Sequence, residues 1–208
     1  MFTLIKREIE DNIAYFAAAA LFSTALVIAV TSLAYNAEEL SEVALSLSIP
    51  IIVLAILGFS AMGASQMYTD KTRKISALLS TLRVTRAQIL AARIVTGILT
   101  ILILLVPLAV TAAVLLRLFP PPYPIYPHFV SEIFTAVFLT GFACYCLGLQ
   151  LGWNSNKVIR VLGSIGSTAV IVPLIVIKGF GACTVIIMLL LIVASLTRTW
   201  QKFTSTPL

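Results

Sequence analysis

A chain with one histidine and three cysteines has few routes to metal or nucleophilic chemistry. His128 is the only histidine, so no two-histidine zinc motif can form, and a lone imidazole lacks the clustered partners of a metal site. Beside Phe129 and Glu132, it reads either as a ligand contact or as a solvated residue at a membrane surface. Cys144, Cys146 and Cys183 all fall in apolar runs. They read as small packing residues, with no disulfide framework or metal spacing. The phosphate-cradling loop G-x-x-x-x-G-K-[ST] is absent; the Gly163–Gly166 glycines lie in an apolar stretch with no lysine after them. The apolar stretches offer no paired groups for a hydrolase, and no ionisable chain for a proton path.

Charge is concentrated instead at 67–93, which holds Lys71, Arg73, Lys74, Arg83, Arg86 and Arg93, six of the fourteen basic residues. Ile75, Leu78, Leu79 and Leu82 recur there at helical spacing, opposite a basic and polar face. Such a helix lies along a membrane surface rather than crossing it. Asp70 is placed to cap its start. Thr85, followed three residues later by Gln88 and then by Ile89 and Leu90, reads as a capping box that opens the next helix. The stretch 67–86 is therefore expected to be a cytoplasmic amphipathic helix with one of two roles. It either docks a soluble partner or only fixes the orientation of its neighbours.

The elements that must position this stretch are apolar. Of the 208 residues, 60% are hydrophobic and 11% charged, where a soluble domain carries about 25% charged residues. The chain is read as an integral membrane protein, all-α, forming one domain. The net charge of +6 then reports orientation rather than nucleic-acid binding. Residues 1–12 read as an interfacial helix, with Phe2, Ile5, Ile9 and Ile13 as an apolar stripe and Lys6, Arg7, Glu8, Glu10 and Asp11 covering the rest. The acidic cluster and the length of the following apolar run argue against a cleaved signal.

A span needs about 20 mainly apolar residues, and six segments qualify: 13–35, 43–66, 87–116, 129–153, 158–177 and 179–197. Pro107 is expected to kink the third, and Pro50 and Pro173 to perturb the second and fifth. The proline-rich loop 120–128 is expected to be extended. With the N-terminus in the cytoplasm, twelve of the fourteen basic residues fall on the cytoplasmic side, leaving only Arg117 and Lys178 outside. The bias toward positive charge inside is then satisfied, with both termini cytoplasmic. Gly148 and Gly152 form a G-x-x-x-G that marks close helix contact, within the chain or across a dimer seam. Gln150 between them would want a polar partner across helices.

Six spans, an N-terminal interfacial helix and a basic amphipathic helix between spans two and three resemble the permease subunits of type-2 exporter (ABC-2 type) ABC transporters. The family pattern is an acidic residue, a glycine, a leucine pair, a proline, a hydroxyl residue with arginine, and a basic residue early in the third span. Asp70, Leu78, Leu79, Thr85, Arg86 and Arg93 occupy matching places. Lys74 stands where glycine is usual, and Arg83 where proline is usual. The resemblance implies a coupling helix whose docking residues are Asp70, Arg73, Lys74, Leu78, Leu79, Leu82, Arg83 and Arg86. It further implies two copies of a separate ATPase carrying ATP and magnesium, a second permease copy (identical or paralogous), and a bacterial inner membrane. The chain itself would be no enzyme and bind no cofactor. The alternative is a non-transporting membrane scaffold that docks a soluble partner through 67–86.

Overall fold

The computed structural model describes residues 2–35, 41–73, 85–118, 129–153, 156, 158, 161–163, 165–166, 169 and 182–205. Side chains at 2–5, 33–35, 41–52, 70–73, 129–130, 182–183 and 204–205 fall outside that description. The described residues form helices: α1 (Phe2–Asp11), α2 (Ile13–Tyr35), α3 (Ser41–Arg73), α4 (Arg86–Leu118), α5 (Phe129–Gly152) and α6 (Ala182–Ser205).

Among the described residues, four helices are long and apolar enough to cross a membrane, at Ile13–Ser32, Arg86–Leu118, Ser131–Gly152 and Thr184–Phe203. α3 contributes a shorter apolar run, Val53–Thr69. Exposure supports this class. Leu21 is 71% exposed, Ile28 67% and Leu190 64%, and helices greasy on their outer faces are stable in lipid rather than in water.

α5 is the centre of the packing. It lies most closely against α3 and also touches α4 and α6, while α2 leans on α4. One face of α5 carries a ladder of rings, Phe134, Phe138, Phe142 and Tyr145, with successive centroids 6.4, 6.2 and 6.4 Å apart. Spacings of four, four and three residues place them on one helical face. Cys144 and Cys146 are fully buried free thiols in this core.

Three expectations change. First, α3 does not stop near residue 66. It runs unbroken to Arg73, so 67–73 is the end of a long helix and not the start of a separate one. The segment has no glycine or proline to break it, and Met67 is fully buried, so tertiary packing extends the helix. Asp70 is inside α3 and cannot be an N-cap. Pro50 likewise lies within α3 without ending it. Second, the stripe of α1 does not continue to Ile13. The chain turns at Asn12, and Ile13 is 65% exposed at the start of α2. Third, the last helix continues past 197 to Ser205, because Thr199 and Phe203 are buried there. Pro107 lies inside α4. Residues 74–84, 119–128 and most of 158–177 lie outside the described set, with Lys74, Leu78, Leu79, Leu82, Arg83, His128 and Pro173 among them.

Candidate functional site

Six helix termini among the described residues meet at one end of the molecule: the C-terminal ends of α1, α3, α5 and α6, and the N-terminal ends of α2 and α4. The α4 terminus is fixed as its sequence predicts. The backbone N–H of Gln88 donates to Thr85 Oγ1 at 3.4 Å, and that of Thr85 to Gln88 Oε1 at 3.2 Å. The Gln88 N–H also donates to the Thr85 carbonyl at 3.0 Å, and the two side chains complete a reciprocal box. Arg86, next in line, donates from Nη1 to the carbonyl oxygen of Phe203 at 2.9 Å, joining the base of α4 to the last turns of α6. Trp153 meets Phe203 edge-on at 5.8 Å between centroids.

Two turns into α4, Arg93 falls on the buried stripe that includes Ile89, Leu90, Thr96, Gly97, Thr100 and Ile101. Its guanidinium is almost fully removed from solvent, with 3% of the side chain exposed. Nε donates to Glu8 Oε1 at 3.3 Å, and Nη1 to Met67 Sδ at 3.2 Å. Glu8 is held in turn by Asn12, whose Nδ2 donates to the Glu8 carbonyl at 2.8 Å and reaches Oε2 at 3.4 Å. A buried guanidinium demands such a partner, because an uncompensated charge there is strongly destabilising. The pair therefore ties α1 to α4. The other charges of α1 pair along its own exposed side, Lys6 with Glu10 at 3.9 Å and Arg7 with Asp11 at 3.8 Å.

Beneath this pair lies Tyr145. Its hydroxyl is 2.8 Å from the carbonyl oxygen of Arg93 and 2.7 Å from Gln66 Oε1. A phenol has one proton and cannot donate to both. Gln66 Nε2, also buried, has no partner among the described residues. Turning the carboxamide over resolves both conflicts: Nε2 then donates to the phenol oxygen, and the phenol donates to Arg93. Gly97 makes room for the ring, since a Cβ there would overlap it.

The G-x-x-x-G of α5 packs within the chain. A Cβ on Gly148 would run into the main chain of Ser60, and one on Gly152 into Ala64 and Met67. Gly63 on α3 faces the main chain of α5 at Tyr145 and Leu149 in the same way. Small residues on both helices let the backbones approach closely. Hydroxyls stitch the neighbouring seams. Tyr15 donates to Ser65 Oγ at 2.8 Å, Ser23 to the Leu104 carbonyl at 3.2 Å, and Ser195 to the Cys146 carbonyl at 2.8 Å.

The expected docking residues divide accordingly. Thr85, Arg86 and Gln88 stand at the α4 terminus, with Asp70 and Arg73 in the last turn of α3. Arg93 is not part of an exposed basic face. Gln66 and Tyr145 carry no signal in motif or spacing, and Glu8 reads only as one of the polar residues of the interfacial helix. The clue to its inward role is Asn12, a second polar residue four positions on, on the same face. Arg93 and Tyr145 are buried, at 3% and 0% exposure, and the cluster fastens α1, α3, α4 and α5 to one another. No group of three metal-ligating side chains occurs among the described residues. No family model matches the chain, and no curated protein or solved structure matches it either.

Proposed function

We propose that the chain is the permease subunit of an ATP-driven exporter, coupled to a separate ATPase through the 67–86 stretch. The observation that carries this reading is where that stretch begins and ends. It leaves α3 at Arg73 and re-enters at Thr85, at the end of the molecule where α1 and the final turns of α6 also lie. The sequence between these two points is basic and half-apolar, as docking on a soluble partner requires, and Leu78, Leu79 and Leu82 have the spacing of anchors for an apolar groove. The buried Glu8–Arg93 pair supplies a rigid base, so force on the segment passes to α3, α4 and α1 together.

On this reading the protein has six spans and cytoplasmic termini in a bacterial inner membrane. Two copies work with two ATPases, which bind the ATP and magnesium. Closure of the ATPases shifts the permease pair between inward- and outward-facing states only if they bind one state more tightly. The test is co-purification with an ATPase subunit and stimulation of its turnover in vesicles. Leu79→Asp with Arg83→Glu should abolish both while leaving membrane insertion intact. Unchanged capture of the ATPase by that double variant would refute docking through this segment. Capture of a partner without ATPase activity would favour a scaffold.

A further inference from the structure

Pro107 divides α4 into two halves that are held differently. All ten buried residues of the helix lie between Ile89 and Leu105. From Val106 to Leu118 no residue is buried. The base is also fastened by polar contacts, Arg86 to the Phe203 carbonyl, Arg93 to Glu8, and Tyr145 to the Arg93 carbonyl. The outer half has no such ties to another helix among the described residues. Leu108, Ala112 and Leu116 instead border a space of ≈480 Å³, open to the outside, across from Val30 of α2 and Phe134 of α5. Close-packed interiors resist shifts of a helix, and the outer half of α4 is not close-packed on that side.

The backbone is weakened at the same place. Proline lacks an N–H, and its ring crowds the carbonyl four residues back. Pro107 lies inside α4, so the helical bond to the Ile103 carbonyl cannot form. The Thr111 hydroxyl donates to the Pro107 carbonyl at 2.8 Å, a back-bond of the kind that bends helices. In lipid, backbone groups disturbed by a proline are satisfied by hydroxyls and by neighbouring helices.

α2 supplies such a hydroxyl. Thr24, Thr31 and Ser32 donate to carbonyls of their own helix, three or four residues back. Ser23 instead reaches across and donates to the carbonyl of Leu104, next to Ile103, at 3.2 Å. Ser23 and Leu104 are 2% and 5% exposed, so the bond is shielded from water. It is longer than the usual 2.5–3.0 Å of a hydroxyl donor, a tie that can open.

We propose that α4 is hinged at Pro107, with the Ser23–Leu104 hydrogen bond as the pin of the hinge. The outer half, 108–118, swings relative to α2 and α5 while the base stays fixed. The arm from Leu108 to Leu118 is about 16 Å long at 1.5 Å per residue. A change of about 20° at a proline kink therefore moves its tip by roughly 6 Å. The hinge goes beyond the permease reading and does not depend on it, because the residues that form it lie away from the 67–86 stretch.

The test measures distances between pairs of nitroxide labels by pulsed electron paramagnetic resonance. The protein is purified into lipid nanodiscs with Cys144, Cys146 and Cys183 changed to alanine. One label sits at Leu190→Cys on α6 in both pairs. The other sits at Val114→Cys in the outer half or at Leu99→Cys in the base. All three positions are exposed, at 64%, 48% and 36%. The distance distribution from 190 to 114 should be at least twice as wide as that from 190 to 99. Pro107→Ala, which restores the missing N–H, should narrow the first to the width of the second. Pro107→Leu is the substitute if Pro107→Ala does not fold. Ser23→Ala should shift or broaden the first and leave the second unchanged. Equal widths in the native protein, or an outer width that Pro107→Ala (or its substitute) leaves unchanged, would overturn the hinge. An outer distribution unmoved by Ser23→Ala would overturn the pin. The assay contains no ATPase, so its failure is separate from a failure of docking.

Discussion

The carboxylate of Glu8 lies 3.3 Å from Nε of Arg93, joining residues eighty-five positions apart. The two sides of the pair are not equivalent: 3% of the Arg93 side chain is exposed and 17% of the Glu8 side chain. Removing the carboxylate takes the Glu8 charge away from a buried cation, whereas removing the cation leaves a carboxylate that water can still reach. Glu8→Gln should therefore destabilise by about 3 kcal/mol, the low end for a broken buried pair. Arg93→Met should cost less, and the double variant less than the sum of the two. Thermal unfolding in detergent reads all three. Greater damage from Arg93→Met than from Glu8→Gln would mean that packing, not charge, holds α1.

A related test concerns Tyr145. Its hydroxyl serves both the Arg93 carbonyl and the Gln66 amide. Tyr145→Phe removes both contacts and leaves buried polar groups bare, at a cost of about 1–3 kcal/mol. Gln66→Met leaves the phenol donating to Arg93, so its effect should be smaller. In the double variant, Tyr145→Phe should add little beyond the lost Arg93 contact, because its partner amide is already gone. Strict additivity in the same unfolding assay would show that the two side chains do not share a hydrogen bond.

The glycines divide sharply. At Gly148 and Gly63 an added Cβ meets the main chain of the facing helix, which cannot swing aside. At Gly58 nothing lies within 4 Å. Gly148→Ala and Gly63→Ala should lower the yield of monodisperse protein on gel filtration and reduce the unfolding temperature. Gly58→Ala should be neutral or stabilise by up to about 1 kcal/mol, the helix preference for alanine. Normal behaviour of Gly148→Ala would show that α3 and α5 are further apart than the seam requires.

What was legible in the sequence follows from the range of each interaction. The capping box at Thr85 and Gln88 is local, three residues apart, and its hydrogen bonds are those its spacing implies. The close contact at Gly148 and Gly152 was also legible, but not its partner, because a small-residue motif does not encode whether the facing helix belongs to the same chain. The end of α3 is not legible locally: the rising charge after Met67 looks like a boundary, while the buried fit of Met67 against Arg93 and Gly152 carries the helix onward. Glu8 reads as one of several polar residues of α1, because a carboxylate in a charged helix is ordinarily solvated. Only the non-local guanidinium opposite makes it an inward residue. Polar contacts across tens of residues leave no periodic trace, so the Arg93 cluster could not be assembled from spacing.

The arrangement of helix ends makes one prediction that needs no stability measurement. Glu8–Arg93, Arg86 with the Phe203 carbonyl, and Trp153 against Phe203 hold one set of termini together, while Arg117 and Glu132 lie at the other ends of α4 and α5. In a background with Cys144, Cys146 and Cys183 changed to alanine, Lys6→Cys, Thr85→Cys and Lys202→Cys should therefore share one side of the membrane. Arg117→Cys and Glu132→Cys should share the other. On the proposed reading, the bias of basic residues puts the first group in the cytoplasm. A membrane-impermeant maleimide added to intact cells should then label Arg117→Cys and Glu132→Cys and reach the other three only after permeabilisation. Labelling of Lys6→Cys and Thr85→Cys from opposite sides would separate α1 from the base of α4. It would remove the physical basis for treating the Glu8–Arg93 pair as the anchor of the 67–86 segment.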